Sequence, residues 1–137
     1  MIYLDANIFI SAITSQTTTG AACKAILDGV LENKIKAVTS ALTFDEVLWK
    51  LRQVMGYELA IDTTERMLEL PIKIITVDSR TIREALDLAR HNKLKPRDAI
   101  HAATMKLHGI KDICSTDPDF DALHWIKRIP PEKLKFS

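Results

Sequence analysis

Short apolar runs alternate with longer amphipathic stretches along the whole chain, and this alternation limits the fold more than any other feature. The runs are Ile2 to Leu4, Lys36 to Thr39, Ile72 to Val77, Asp112 to Ser115 and Trp125 to Ile129. They lack a clean in–out alternation, which suits parallel strands covered on both faces. Between them lie helical patterns: a short one following Asn7, then Ala21 to Leu31, Ala41 to Met55, Tyr57 to Leu70, a helix capped by Asp78, and Arg97 to His108 after Pro96. The third carries Phe44, Val47, Leu48, Leu51, Val54 and Met55 on one arc, and the fifth carries Ile82, Ala85, Leu86 and Ala89 at core spacing. Pro71 and Gly109 close the helices before them. The pattern predicts an α/β fold, a three-layer α/β/α sandwich with a mainly parallel central sheet.

No repeat, linker or low-complexity segment divides the 137 residues, so residues 1–137 are expected to form one domain. The formal net charge is only +1, which does not announce a basic groove and weighs against a pure nucleic-acid-binding module. Cys23 and Cys114 have no CxxC partner and are expected to be reduced and buried. Met1-Ile2-Tyr3-Leu4-Asp5 holds no basic segment followed by an apolar run, and no apolar run approaches the ~18 residues of a spanning helix. A cytoplasmic protein with no membrane association is expected.

Four acids hold special places in this plan. Asp5 ends the first strand, Glu46 lies off the core arc of the third helix, Asp98 opens the helix after Pro96, and Asp117 follows the fourth strand. Open parallel sheets bind ligands at the carboxyl ends of their strands, where Asp5 and Asp117 emerge. Carboxylates converging there raise one another's pKa, and a divalent cation removes that penalty. Oxygen donors without His or Cys spacing favour Mg²⁺ or Mn²⁺ over zinc, with Asp5, Asp98 and Asp117 as the expected ligands. Each acid also has a plainer role: Asp98 at a helix start, Glu46 paired with Lys50, Asp117 opening a turn.

Around them stand further candidates. Asn7 is expected to cap the first helix, with an amide able to orient Asp5. Asp119 is a further ligand candidate, and Thr116 either bonds a ligand or closes a turn. Lys95 and Arg97, with Lys93, form a basic approach to Asp98, either solvated surface or a contact for nucleic-acid phosphates. His101, one turn after Asp98, reads as a structural helix residue, and Asp45 as surface. Leu42 and Trp49 lie opposite the core arc of the third helix, which predicts a second burial surface and a homodimer.

Taken together, Leu4-Asp5-Ala6-Asn7-Ile8-Phe9, Ser40-Ala41-Leu42-Thr43-Phe44-Asp45-Glu46-Val47-Leu48, Arg97-Asp98-Ala99-Ile100-His101-Ala102-Ala103 and Ser115-Thr116-Asp117-Pro118-Asp119-Phe120 resemble, in order and spacing, the motifs of the PIN-domain family, especially its VapC-type toxins. The resemblance covers almost the whole chain. It implies endoribonuclease activity at an acidic Mg²⁺ or Mn²⁺ site, with Asp5, Glu46, Asp98 and Asp117 as the acids. For VapC-type members it also implies a homodimer and a cognate antitoxin.

Two competing readings are a catalytically silent RNA- or protein-binding module on the same fold and a haloacid-dehalogenase-like phosphatase. The phosphatase needs a second Asp two residues after the nucleophile, and Asn7 stands there. Scattered histidines and clustered acids favour water as nucleophile over the RNA's own 2′-hydroxyl, which predicts 5′-phosphate and 3′-hydroxyl ends.

Overall fold

The computed structural model describes residues 1–137. Its centre is a five-stranded sheet in the order β3-β2-β1-β4-β5, formed by Ile2–Leu4 (β1), Ala37–Ser40 (β2), Lys73–Ile75 (β3), Asp112–Cys114 (β4) and Lys127–Ile129 (β5). All four pairings are parallel. The six helices are Ala6–Thr14 (α1), Thr18–Leu31 (α2), Ala41–Met55 (α3), Tyr57–Leu68 (α4), Ser79–Asn92 (α5) and Pro96–Leu107 (α6). No helix is long and apolar enough to cross a membrane.

Successive strand residues point to opposite faces, and β1 shows the consequence. Ile2 and Leu4 enter a core with Ile8 and Phe9 of α1, Cys23 and Ile26 of α2, Val47 and Leu51 of α3 and Met67 of α4. Tyr3, between them, enters a second core with Ala85 and Leu88 of α5, Ala102 and Met105 of α6, and Phe120. Each face of the sheet is thereby sealed by its own helices, which makes the three-layer sandwich. Both cysteines are buried thiols without a disulfide.

The strand order turns at β1: the chain builds β2 and β3 on one side and β4 and β5 on the other. Such a switch point leaves a crevice at the carboxyl ends of the two central strands. Here those ends are Asp5 and Ser115. The backbone N–H of Asp5 donates to the Cys114 carbonyl at 3.1 Å, so the two are locked side by side.

Several local expectations change. α1 starts at Ala6, and Asp5 is its N-cap, accepting from the Ala6 N–H; Asn7 lies inside the first turn. A carboxylate at the strand end is already in cap position, so the amide is not needed there. α2 starts at Thr18 rather than Ala21 because the Thr17 hydroxyl accepts from the Gly20 N–H. β3 and β5 are shorter than their apolar runs, and α4 stops at Leu68. Val54 is 62% exposed and Leu86 59% exposed, so the core arcs of α3 and α5 are narrower than the sequence spacing suggests; Leu88 takes the core position on α5. α6 begins with Pro96 at its first position, where a missing N–H costs nothing.

Candidate active site

A cleft of about 440 Å³ opens at the switch point, lined by Glu46, Lys95, Pro96, Arg97, Asp98 and Asp117. That volume lies in the ~300–1,000 Å³ range of ligand-binding clefts, and apart from Pro96 every lining side chain is charged. Three acids face two cations, which suits a charged ligand.

Asp5 lies behind the lining residues and is 5% exposed. One carboxylate oxygen accepts from the Ala6 N–H at 2.7 Å. The other accepts from the Asn7 amide at 3.1 Å and the Ser115 hydroxyl at 2.6 Å. Burial raises its pKa, and the Glu46 charge adds to this against the opposing pull of His101, Ser115 and the Ala6 N–H. The Ser115 hydroxyl in turn accepts from the Asp117 N–H at 3.0 Å. The Asn7 carbonyl oxygen accepts from the Thr116 N–H at 3.5 Å. Asn7 and Ser115 therefore tie the first motif to the fourth.

Glu46 reaches the cleft from α3. It does not pair with Lys50; its carboxylate accepts from Nε2 of His101 at 2.5 Å. The His101 ring is fully buried, with Nδ1 2.6 Å from the Tyr3 hydroxyl and Nε2 3.8 Å from Asp5. Burial by itself lowers the imidazole pKa, but the Glu46 bond and the charges of Asp5 and Glu46 outweigh it, and the net direction is upward. Burial likewise holds the Tyr3 phenol well above its usual value, so it keeps its proton.

Asp98 differs from both. Its Oδ2 is buried without a hydrogen-bond partner. Burial first, then the charges of Asp117 and Asp5, push its carboxyl from 3.8 up to about 7. Oxygens of Asp98, Asp117 and Asp119 all lie within 4.8 Å of one another. Asp117 also caps a 3-10 turn, accepting from the Asp119 N–H at 2.9 Å, so its turn role and its place at the cleft coexist. Lys95 sits 3.5 Å from Asp119 in an exposed ion pair, and Arg97 is exposed on the cleft wall.

Asp5, Glu46, Asp98 and Asp117 thus meet around the carboxyl end of the sheet, with Asn7 behind them and Asp119, Lys95 and Arg97 at the mouth. Asp5 lies outside the tight oxygen trio. Thr116 is exposed and contributes its backbone N–H. Two partners of the acids were not legible as such: His101 and Ser115. The available signals were a lone imidazole within Ala99-Ile100-His101-Ala102-Ala103 and a serine ending an apolar strand beside Asp5.

An orphaned carboxylate oxygen, a raised carboxyl pKa and an all-oxygen donor set fit a hard divalent cation, which supplies the missing positive charge. Zinc-type ligands are not grouped at the cleft.

Among known proteins, the chain is similar to ribonuclease VapC13 of Mycobacterium tuberculosis, 25% identical over 130 residues that span 94% of this chain and 99% of that one. Its fold is similar to that of VapC20 of M. tuberculosis, a sarcin-ricin loop cleaving toxin, at a TM-score of 0.74 and 20% identity over 89% of this chain and 94% of the other. A toxin-antitoxin complex from Klebsiella pneumoniae contains a chain similar in fold at a TM-score of 0.69 and 20% identity, over 98% of this chain and all of that one. The PIN domain model aligns with residues 2–126, from the first strand to the approach of the last, and a match over that much of the fold establishes that this chain belongs to the PIN-domain family.

Proposed function

We propose that this protein is a Mg²⁺- or Mn²⁺-dependent endoribonuclease and the toxin of a VapBC-type toxin–antitoxin pair, acting in the cytoplasm. The observation that carries the reading is the convergence of Asp98, Asp117 and Asp119 beside buried Asp5, with one Asp98 oxygen lacking any partner. The similar proteins support it, being named a ribonuclease, a sarcin-ricin loop cleaving toxin and a toxin-antitoxin complex.

In this reading Asp5, Asp98 and Asp117 hold the cation, with Asp119 as a further oxygen donor at the mouth. When bound, the cation lowers the pKa of water and offsets negative charge on the phosphorus. Asp5 is fixed by three hydrogen bonds, which hold its carboxylate in one orientation for the reaction. Glu46 faces the cleft as the acid suited to orient an attacking water and take its proton. Lys95 and Arg97 meet the RNA backbone and keep the phosphate from being repelled by the acids. Asn7 and the Thr116 N–H keep the two loops in register. The exposed Trp49, with the Arg52 guanidinium 4.0 Å from its ring centre, and half-buried Leu42 supply a surface for a homodimer. An antitoxin is the second protein partner of this reading.

Chelation tests the reading. Excess EDTA should abolish RNA cleavage, and Mg²⁺ or Mn²⁺ should restore it. Mass spectrometry of the fragments should find 5′-phosphate and 3′-hydroxyl ends. Full activity in chelator, or a 2′,3′-cyclic phosphate end, overturns it. The silent-module alternative predicts no cleavage and melting that is indifferent to either metal.

A further inference from the structure

A fully buried imidazole lies behind the cleft rather than in it. His101 sits on α6 at 0% exposure, within a stretch that is otherwise small or apolar. A buried imidazole is costly unless both nitrogens find partners. Both do, and from two other elements. Nδ1 meets the Tyr3 hydroxyl of β1 at 2.6 Å, and Nε2 meets the Glu46 carboxylate of α3 at 2.5 Å. The tyrosine and imidazole rings also pack edge to face, with planes inclined 72° and centres 5.5 Å apart. The plane of the imidazole is thereby set by one neighbour and its outward nitrogen is aimed at the other.

From this we infer that Tyr3 and His101 are positioning residues: the imidazole, braced from behind by the Tyr3 hydroxyl, fixes the Glu46 carboxylate at the wall of the cleft. The inference rests on the nuclease reading for the reaction that Glu46 serves, but the geometry stands apart from it. Glutamate carries three rotatable side-chain bonds, and on a half-exposed helix face it samples many rotamers. A carboxylate only accepts, so Nε2 carries the proton it donates. Glu46 is held in the lining of the cleft that it shares with Asp98 and Asp117. A purely structural imidazole needs no acid of the cleft as its partner; here that acid is the one partner of Nε2 at hydrogen-bond distance.

The test separates the two nitrogens. Gln places an amide N–H where Nε2 stood, whereas Asn mimics only the Nδ1 side. His101→Asn should lower kcat for RNA cleavage by roughly 10–100-fold, the usual loss for a residue that orients an active-site ligand, with KM little changed. His101→Gln should retain most of kcat. In a Glu46→Gln background, His101→Asn should cost nothing further. A carboxyl ¹³C signal of Glu46 reports position without any turnover: distinct in the wild type and in His101→Gln, moved to the shift of solvent-exposed glutamates in His101→Asn. The double variant Tyr3→Phe with His101→Leu removes the orphaned hydroxyl and should fold, yet stay as impaired as His101→Asn. An unchanged Glu46 signal in His101→Asn overturns the inference, as does wild-type cleavage by that variant or by the double variant. A wild type that cleaves no RNA defeats the nuclease reading instead, and the Glu46 signal still decides the positioning.

Discussion

The two sides of the cleft are built on opposite plans. On the closed side, every oxygen of Asp5 has a donor, and Glu46 is gripped by a buried imidazole. On the open side, Asp98, Asp117 and Asp119 crowd within 4.8 Å, and the buried oxygen of Asp98 has no donor. The closed side is already satisfied by the protein. The open side is not: its crowded carboxylates include an oxygen that no protein group meets. Pre-organised acids and an unmet charge deficit belong together under the proposed reading, in which the site accepts a cation and keeps its shape while doing so.

The largest effect should come from removing the deficit. Asp98→Asn should reduce RNA cleavage by roughly 10²–10³-fold or more, as loss of a principal electrostatic group does, while circular dichroism stays native. Mg²⁺ should raise the melting temperature of the wild type and leave that of Asp98→Asn nearly unchanged. An inactive but unfolded variant would make Asp98 a structural residue and erase the contrast between the two sides.

Stability should then separate the sides in size. Asp98 has a folded pKa near 7 against an ordinary 3.8. Between those values the unfolded chain ionises and the folded protein keeps its proton, so metal-free stability falls as pH rises from about 4 to 7 and stays low above. The loss is on the order of 2 kcal/mol once solvent screening of a half-buried group is allowed for. Asp98→Asn removes this slope, and at pH 8 the metal-free variant should melt above wild type by several degrees, at roughly 3–5 °C per kcal/mol in a domain of this length. Asp5→Asn should abolish cleavage too. However, its new amide group meets the Asn7 amide donor, so it should be at least ~1 kcal/mol less stable than Asp98→Asn and melt below it. Thermal scans of both variants at pH 5 and pH 8 in EDTA check this. Equal melting temperatures at pH 8 would mean the two acids share one environment.

The smallest effect is at the mouth. Lys95→Met frees Asp119 from its exposed ion pair and removes one phosphate contact. RNA binding should weaken a few-fold, with the salt slope reduced by about one, and kcat nearly unchanged. A kcat loss as large as that of Asp98→Asn would move Lys95 from the mouth into the reaction itself.

Much of this site is legible along the chain. Asp5 announces itself because an acid ending a fully apolar strand has no solvated alternative, and 5% exposure agrees. Asp98, Asp117 and Asp119 are each ordinary as helix-start or turn acids, and only the ordered motifs make them a set. The cap of α1 is a case where local rules mislead: Asn7 is a fair cap by residue type, but Asp5 occupies the geometry first. The core arcs of α3 and α5 mislead for another reason. Periodicity says which residues share a face, while the neighbouring helix decides how much of that face is covered, and Val54 and Leu86 fall beyond the edge.

The sequence by itself determined the layered α/β plan, the parallel strands and the acids at strand ends and helix starts, because these follow from periodicity and from local capping chemistry. Only the tertiary structure decided which of those acids are satisfied. His101 lies 98 positions from Tyr3 and 55 from Glu46, and Ser115 lies 110 from Asp5. Whether a carboxylate has a donor depends on what packs against it across the sheet, and no local pattern of residues carries that information.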